Sequence, residues 1–175
     1  MEPVHAPLRL VQGDLLSAQE EYIVQQCCCT AMRPHGLSAS IQSAIGVNPY
    51  TSRTQLKGNW ATVATRPQPG TVSVLQGLDG RKVVCLFGQY THGKPGVYRA
   101  ADPAAAQAPV PDTAADRLRY FKAGLQELEA LKPRSVALPE KIGCGLAGGN
   151  WTLYKQELEG WAARNPGVAV VMYRL

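Results

Sequence analysis

The sequence predicts an α/β fold: a three-layer α/β/α sandwich whose mixed central sheet is covered on both faces. Three observations carry that expectation. Short apolar runs of period 2 interleave with longer runs of period 3.6; strands and helices alternate along the chain; and a chain of 175 residues, 45% of them apolar, can build one sizeable core. Disorder throughout is excluded.

The period-2 runs are Leu8 to Val11, Tyr22 to Cys28, Asn59 to Thr65, Thr71 to Gln76, Lys82 to Phe87, Ser135 to Leu138 and Val168 to Tyr173. Leu78-Asp79-Gly80 separates two of them, and its Asp-Gly pair is expected to supply the positive-φ positions of a tight turn. Thr71 to Phe87 is therefore expected to form one antiparallel hairpin.

Three helices follow from the longer period. Leu37, Ile41, Ala44 and Ile45 share one face, and Gly46 stops the first helix. The second starts at Asp112 or Thr113, aligns Ala114, Leu118, Phe121, Leu125 and Leu128, and ends before Pro133. Asn150 caps the third, which carries Trp151, Tyr154, Leu158 and Trp161 on one stripe. Such stripes read as core. Residues 101–116 hold seven alanines and three prolines, so a flexible inserted loop is expected at about 101–111. No internal repeat or second domain is visible, and residues 1–175 read as a single domain.

Eighteen Lys and Arg against thirteen Asp and Glu leave a net charge of +5. That mild excess favours anionic partners, but it is spread along the chain, and no basic run suggests specific nucleic-acid binding or a membrane-surface helix. Five cysteines, three of them adjacent (Cys27, Cys28, Cys29), do not form a paired disulfide framework, which points to a reducing compartment. Met1 to Leu10 lacks a signal-peptide core, and no apolar run is long enough to span a bilayer. A soluble intracellular protein, cytoplasmic or nuclear, is expected.

Chemistry concentrates in two strand-to-helix junctions. Gly143-Cys144-Gly145-Leu146-Ala147-Gly148-Gly149-Asn150 matches G-x-G-x-x-G, a pattern that lets backbone N–H groups approach a phosphate. Its late position argues against a dinucleotide-binding unit; the open readings are an anion loop or a glycine-rich turn without ligand. Gln25-Gln26-Cys27-Cys28-Cys29 leads through Arg33-Pro34-His35-Gly36 into the first helix. Both loops are expected at the carboxyl edge of the sheet, facing one cleft suited to a pyrophosphate. His35 at the lip reads either as a phosphate donor and proton carrier or as an exposed loop histidine. Asp14, after the first strand, reads either as an Asx-turn residue or as an acceptor for the exocyclic amine of a base.

Metal binding is not expected. Adjacent strand residues face opposite ways, so Cys27 and Cys29 share a side that Cys28 does not, and no second ligand pair completes a zinc site. No G-x-S-x-G elbow is present, and Gly93-Lys94-Pro95 is not a Walker A loop.

The sequence resembles the macrodomains, a family that binds ADP-ribose. The resemblance rests on Val11-Gln12-Gly13-Asp14-Leu15, on Val24-Gln25-Gln26-Cys27 through Pro34-His35-Gly36-Leu37-Ser38, and on Leu138-Pro139 through Ile142-Gly143-Cys144-Gly145-Leu146-Ala147-Gly148-Gly149-Asn150-Trp151. It covers nearly the whole chain except the Ala/Pro-rich loop. The segment from Ile142 to Leu146 is the most specific part, and it is similar to the branch containing the terminal ADP-ribose protein glycohydrolase and the ADP-ribose 1″-phosphate phosphatases.

The resemblance implies that Asp14 contacts the adenine amine. It puts Gly36 and its neighbours His35 and Leu37 in the first phosphate loop, and Gly143, Cys144, Gly145 and Leu146 in the second. Leu15, Gln26, Cys28, Gln89, Ile142 and Ala147 fall among the remaining ligand-binding positions. The glycohydrolase works through a lysine and an aspartate; the lysine aligns with Gly88 or Gln89 and the aspartate with Ala147, so neither group is present here. Lys94 is close enough in sequence for a shifted alignment to place the lysine there. Cys28 stands where relatives often carry Asn.

Two functions follow. One is an enzyme that hydrolyses an ADP-ribosyl linkage on protein or ADP-ribose 1″-phosphate, with His35 as general acid or base and His92 and Lys94 as further catalytic candidates. The alternative is a non-catalytic ADP-ribose reader. Neither requires a cofactor or metal, and in both the partner is ADP-ribose or ADP-ribosylated protein.

Overall fold

A computed structural model of the chain describes residues 8–175. The N-terminal reading of Met1 to Leu10 lies, for residues 1–7, outside the described residues. Among the described residues eight strands form: β1 (Arg9–Gln12), β2 (Tyr22–Cys28), β3 (Gln55–Lys57), β4 (Trp60–Ala61), β5 (Val72–Gln76), β6 (Lys82–Gln89), β7 (Ser135–Pro139) and β8 (Ala169–Arg174). Three α-helices accompany them: α1 (Leu37–Ile45), α2 (Ala114–Ala130) and α3 (Trp151–Arg164). The main sheet has the order β1-β8-β7-β2-β6-β5, with β5 antiparallel to β6 and every other pairing parallel. The expected mixed sheet is present, and β2 lies inside it.

Alternation along the strands sorts the core into two layers. Tyr22, Val24, Val84, Leu86, Val136, Leu138, Val170 and Met172 meet Phe121, Leu125 and Leu128 of α2 and Tyr154, Leu158 and Trp161 of α3. Ile23, Cys27, Val83, Cys85, Phe87 and Ala137 meet Ile41 and Ile45 of α1 on the other face. Each Val, Leu, Ile, Phe or Met among them contributes about 1.5–3 kcal/mol by leaving water. Truncating the fully buried Leu128 to Ala is expected to cost about 2–5 kcal/mol, because the cavity does not fully collapse.

The helices end where local chemistry ends them. Gly46 takes φ +79° and its N–H closes α1 onto Gln42 O. Thr113 and Asp116 form a reciprocal capping box at the start of α2. Ala44 and Ala114, expected on buried faces, are exposed. The hairpin of β5 and β6 is as expected, except that only Gly80 of the Asp79-Gly80 pair has positive φ. Asp79 instead accepts the Arg81 N–H, a role its short carboxylate fills without a left-handed backbone.

One expectation changes. The run Asn59 to Thr65 is not one strand: only Trp60–Ala61 pairs, with β3, and Val63–Thr65 forms a 3-10 turn. The Thr62 and Thr65 hydroxyls bond to each other at 2.8 Å, and Thr65 Oγ1 donates to Thr62 O, a local alternative that outcompetes the ladder. In segment 101–111, Asp102, Ala104 and Ala108 are buried. The Arg66 guanidinium grips Asp102 through two bonds of 2.6 and 2.8 Å, which anchors the segment to the body at that point.

Candidate functional site

The parallel strands β2, β6 and β7 release their chains at one edge, and there a cleft of about 690 Å³ opens. Eleven of the residues singled out from the sequence line it: Gln26, Cys28, His35, Leu37, Gln89 and His92, together with Ile142, Gly143, Gly145, Leu146 and Ala147. Gly36, Cys144 and Lys94 adjoin it without lining it, and Asp14 and Leu15 stand apart. β2 carries a register shift between Gln26 and Cys28, so the expected alternation fails and both Cys27 and Cys28 line the cleft.

The first wall runs from the end of β2 to α1. Its backbone is held through carbonyls: Arg53, buried and stacked 4.5 Å over the Tyr50 ring, donates 2.7 Å bonds to Cys28 O and Ala31 O. Asn59 Oδ1 takes the Met32 N–H, and Ser38 Oγ takes the His35 N–H. Gly36 is the N-cap of α1 and offers no side-chain cap, so the first amides of that helix point outward with their partial positive charge unmet.

The second wall is built differently. Residues 141–149 fold on themselves through Cys144 N to Lys141 O, Gly148 N to Gly145 O and Gly149 N to Gly143 O. Among the described residues the N–H groups of Gly145, Leu146 and Ala147 take no partner, leaving three successive donors at the cleft. A Cβ at Gly145 would meet nothing within 4 Å. Leu146, 65% exposed, reaches over so that a Cβ at Gly36 would lie 3.4 Å from its Cδ1. Leu146 thus approaches the first wall at Gly36. Asn150 caps α3 with its own side chain, so that helix end, unlike α1, is already satisfied.

Between the walls lies the amide pair of Gln26 and Gln89, joined by a 2.9 Å bond from Gln26 Nε2 to Gln89 Oε1; Gln89 Nε2 then donates to Thr91 O. Gln26 Oε1 is buried without a partner. A Cβ at Gly88 or Gly143 would lie 2.5 or 2.7 Å from that oxygen, so Gln26 occupies the space a side chain at either position would need.

The titratable groups differ in freedom. The His35 side chain is exposed. The His92 ring lies between Tyr98 (4.6 Å, 26°) and Trp60 (5.1 Å, 52°). Burial, then the charges of Arg117 and His35, hold its imidazole below the usual histidine range, which keeps the ring neutral near pH 7. Burial lifts the Cys144 thiol to about 11, and its Sγ donates to Ile142 O. The hydrogen bond it shares with Cys85, then burial, push the Cys27 thiol up. Neither is a ready nucleophile. Lys94 is exposed, and its stem lies against Gly148. Among the described residues no three His, Cys, Asp or Glu side chains converge as a metal site, and no helix is long and apolar enough to cross a membrane.

Asp14 is exposed at the end of β1, at the sheet edge, and its Oδ1 accepts the Leu16 N–H of the 3-10 turn Leu15–Ser17; Leu15 is buried under it. The Asx-turn role is thus present, with the second carboxylate oxygen left over. Sequence reasoning missed Arg53, Tyr50, Asn59 and Tyr98. Arg53 sits in a stretch without periodicity, 22 and 25 residues from its acceptors. Arg117 gave a signal that went unused: a charge four residues before Phe121, on the buried stripe of α2.

No family model and no curated protein matches the sequence. Solved structures do match. The macrodomain of Mycobacterium tuberculosis DarG superposes with a TM-score of 0.65 at 21% identity, covering 96% of this chain and 97% of that one. The macrodomain of Thermus aquaticus DarG gives 0.63 at 22%, covering 96% and 98%. A mutant of the Oceanobacillus iheyensis macrodomain with ADPR gives 0.60 at 17%, covering 95% and 84%. Together with the sheet order and the edge cleft, these place the molecule among α/β/α sandwiches that open at the carboxyl ends of a mixed sheet. The chain has the macrodomain fold.

Proposed function

We propose that the cleft binds ADP-ribose and that the protein hydrolyses a linkage at its distal ribose, either an ADP-ribosyl ester on protein or the phosphate ester of ADP-ribose 1″-phosphate. The observation that carries this reading is the run of three unpartnered N–H groups at Gly145, Leu146 and Ala147, set opposite the uncapped start of α1. Two such backbone sites in one cleft suit the two phosphates of a diphosphate. Asp14 is assigned to the adenine amine by the resemblance, and its free carboxylate oxygen is available for that contact. Binding the remote adenosine and diphosphate positions C1″ and its leaving group.

For the proton transfer His35 is the better group. Its side chain is exposed at the cleft, whereas His92 is confined between two aromatic rings. His92 remains the reserve, and Lys94 supplies charge at the second loop. Water adds to the distal carbon or the phosphorus, and the carboxylic acid or inorganic phosphate leaves with ADP-ribose as the other product.

One observation favours a non-catalytic reader instead. Of the two positions aligned with the glycohydrolase lysine, Gly88 is closed by the Gln26 amide and Gln89 carries an uncharged amide, and the aspartate position is the buried methyl of Ala147. Incubation with glutamate-linked ADP-ribosylated protein and with ADP-ribose 1″-phosphate, followed by assay of ADP-ribose and phosphate, tests the proposal. Release of ADP-ribose supports the enzyme. Tight binding without release makes the protein a reader.

A further inference from the structure

Arg117 is 1% exposed, in a helix whose other inward residues are almost all apolar. Its five N–H groups are all engaged. Nε donates to Asp112 Oδ1 at 2.8 Å and Nη2 to Asp112 Oδ2 at 2.8 Å; Nη2 also donates to Thr91 O at 3.0 Å. Nη1 donates to Gly93 O at 2.6 Å and to Ala147 O at 3.0 Å. Asp112 accepts in turn from Tyr90 N, Thr91 N and Thr91 Oγ1 at 2.9, 3.0 and 2.6 Å. A buried ion pair is a weak source of stability, because desolvation offsets the attraction. The choice of acceptors says more: three are carbonyls of the two segments that meet at the His92 end of the cleft.

We infer that Arg117 and Asp112 are a positioning pair, a buried clamp that fixes the loop after β6 against the second glycine loop and so sets the width of the cleft at its His92 end. The inference rests on reading this cleft as the ADP-ribose site. One nitrogen, Nη1, holds the loop after β6 and the second glycine loop together, and the carbonyls on either side of His92, those of Thr91 and Gly93, are tied to the same guanidinium. Ala147, whose carbonyl is drawn inward, contributes the last of the three free N–H groups. Lysine cannot replace this fork: its ammonium keeps the charge but has three donors at a single point.

The charged or titratable groups facing the His92 ring are Arg117 from α2, His35 from the first wall and Tyr98 from its own loop; Trp60 of β4 is neutral. Arg117→Lys and the charge-free double variant Asp112→Asn/Arg117→Gln therefore separate charge from geometry. In ligand-free R117K, amide exchange across residues 91–94 and 143–149 is expected to quicken in both segments together. The His92 ring, followed by NMR, titrates at a lower midpoint in R117K than in the double variant, because lysine keeps the neighbouring positive charge. ADP-ribose affinity falls about tenfold or more, the scale of losing hydrogen bonds to a charged group. In the double variant both segments loosen and the His92 midpoint rises.

Loosening of one segment alone, or wild-type exchange and affinity in R117K, overturns the clamp. Should R117K not fold, the same readings on the double variant decide. If the wild type binds no ADP-ribose, the proposed function fails, while exchange and the His92 titration still judge the clamp.

Discussion

The two walls of the cleft present backbone N–H groups to the same space by opposite means. In the first, a side chain from elsewhere, Arg53, holds carbonyls so that the uncapped start of α1 faces outward. In the second, short-range turns within residues 141–149 do the holding, and only the Ala147 carbonyl is tied to a distant side chain. A loop held by its own turns is written in its own letters. One held by a remote arginine is not, and its substitution tolerance depends on a residue outside the loop.

The largest effect is expected where the second wall is blocked. Gly145 has open space around its Cβ position, so Gly145→Glu leaves the fold intact, yet it brings bulk and negative charge to the free N–H groups. ADP-ribose binding should drop below detection by calorimetry while the melting curve is unchanged. Retained tight binding would remove the second wall from the site. The first wall is tested through chemistry: His35→Ala should lower turnover about 10²-fold, the lower range for general acid–base catalysis, with affinity little changed. Full turnover in that variant, in His92→Ala and in the double variant would exclude both histidines.

A smaller effect is expected outside both walls. Asp14→Ala should weaken ADP-ribose binding by about 1.5–3 kcal/mol, the size of a hydrogen bond to a charged group. Unchanged affinity would leave Asp14 as the cap of its turn alone.

Acid should act on the buried pairs that brace the cleft and segment 101–111. Burial pushes the Asp112 and Asp102 carboxyls up, but their guanidinium and N–H partners outweigh it and hold both below the usual range. Their stabilisation is present above the unfolded carboxylate value of about 3.9 and is lost as pH falls through the lowered folded values. Calorimetric melting should therefore show a decline setting in below about pH 4, and a flat profile there would contradict the assignment. The smallest expected effect is that of a chelator: melting temperature and any turnover should be unchanged, and collapse would revive the cysteine cluster as a metal site.

Much of this was legible in the sequence for a definite reason. Periodicity reports which face of an element is buried, so the helices, the hairpin and most strands came through. The run at Asn59 failed because threonine hydroxyls offered a local turn that β propensity ignores. Gly143 to Gly148 was legible because its bonds span only a few residues. Arg53, the Gln26–Gln89 pair and the Asp102 anchor were not, since each joins residues 22 to 63 apart in the chain, a distance that no local pattern spans.

The claim that two unlike walls grip one diphosphate is tested most directly by amide spectra of the ¹⁵N-labelled protein titrated with ADP-ribose. The account predicts that the N–H signals of Leu37 and Ser38 and those of Gly145, Leu146 and Ala147 move together, with one common dissociation constant. Movement confined to one group, or none at saturating ADP-ribose, would contradict it.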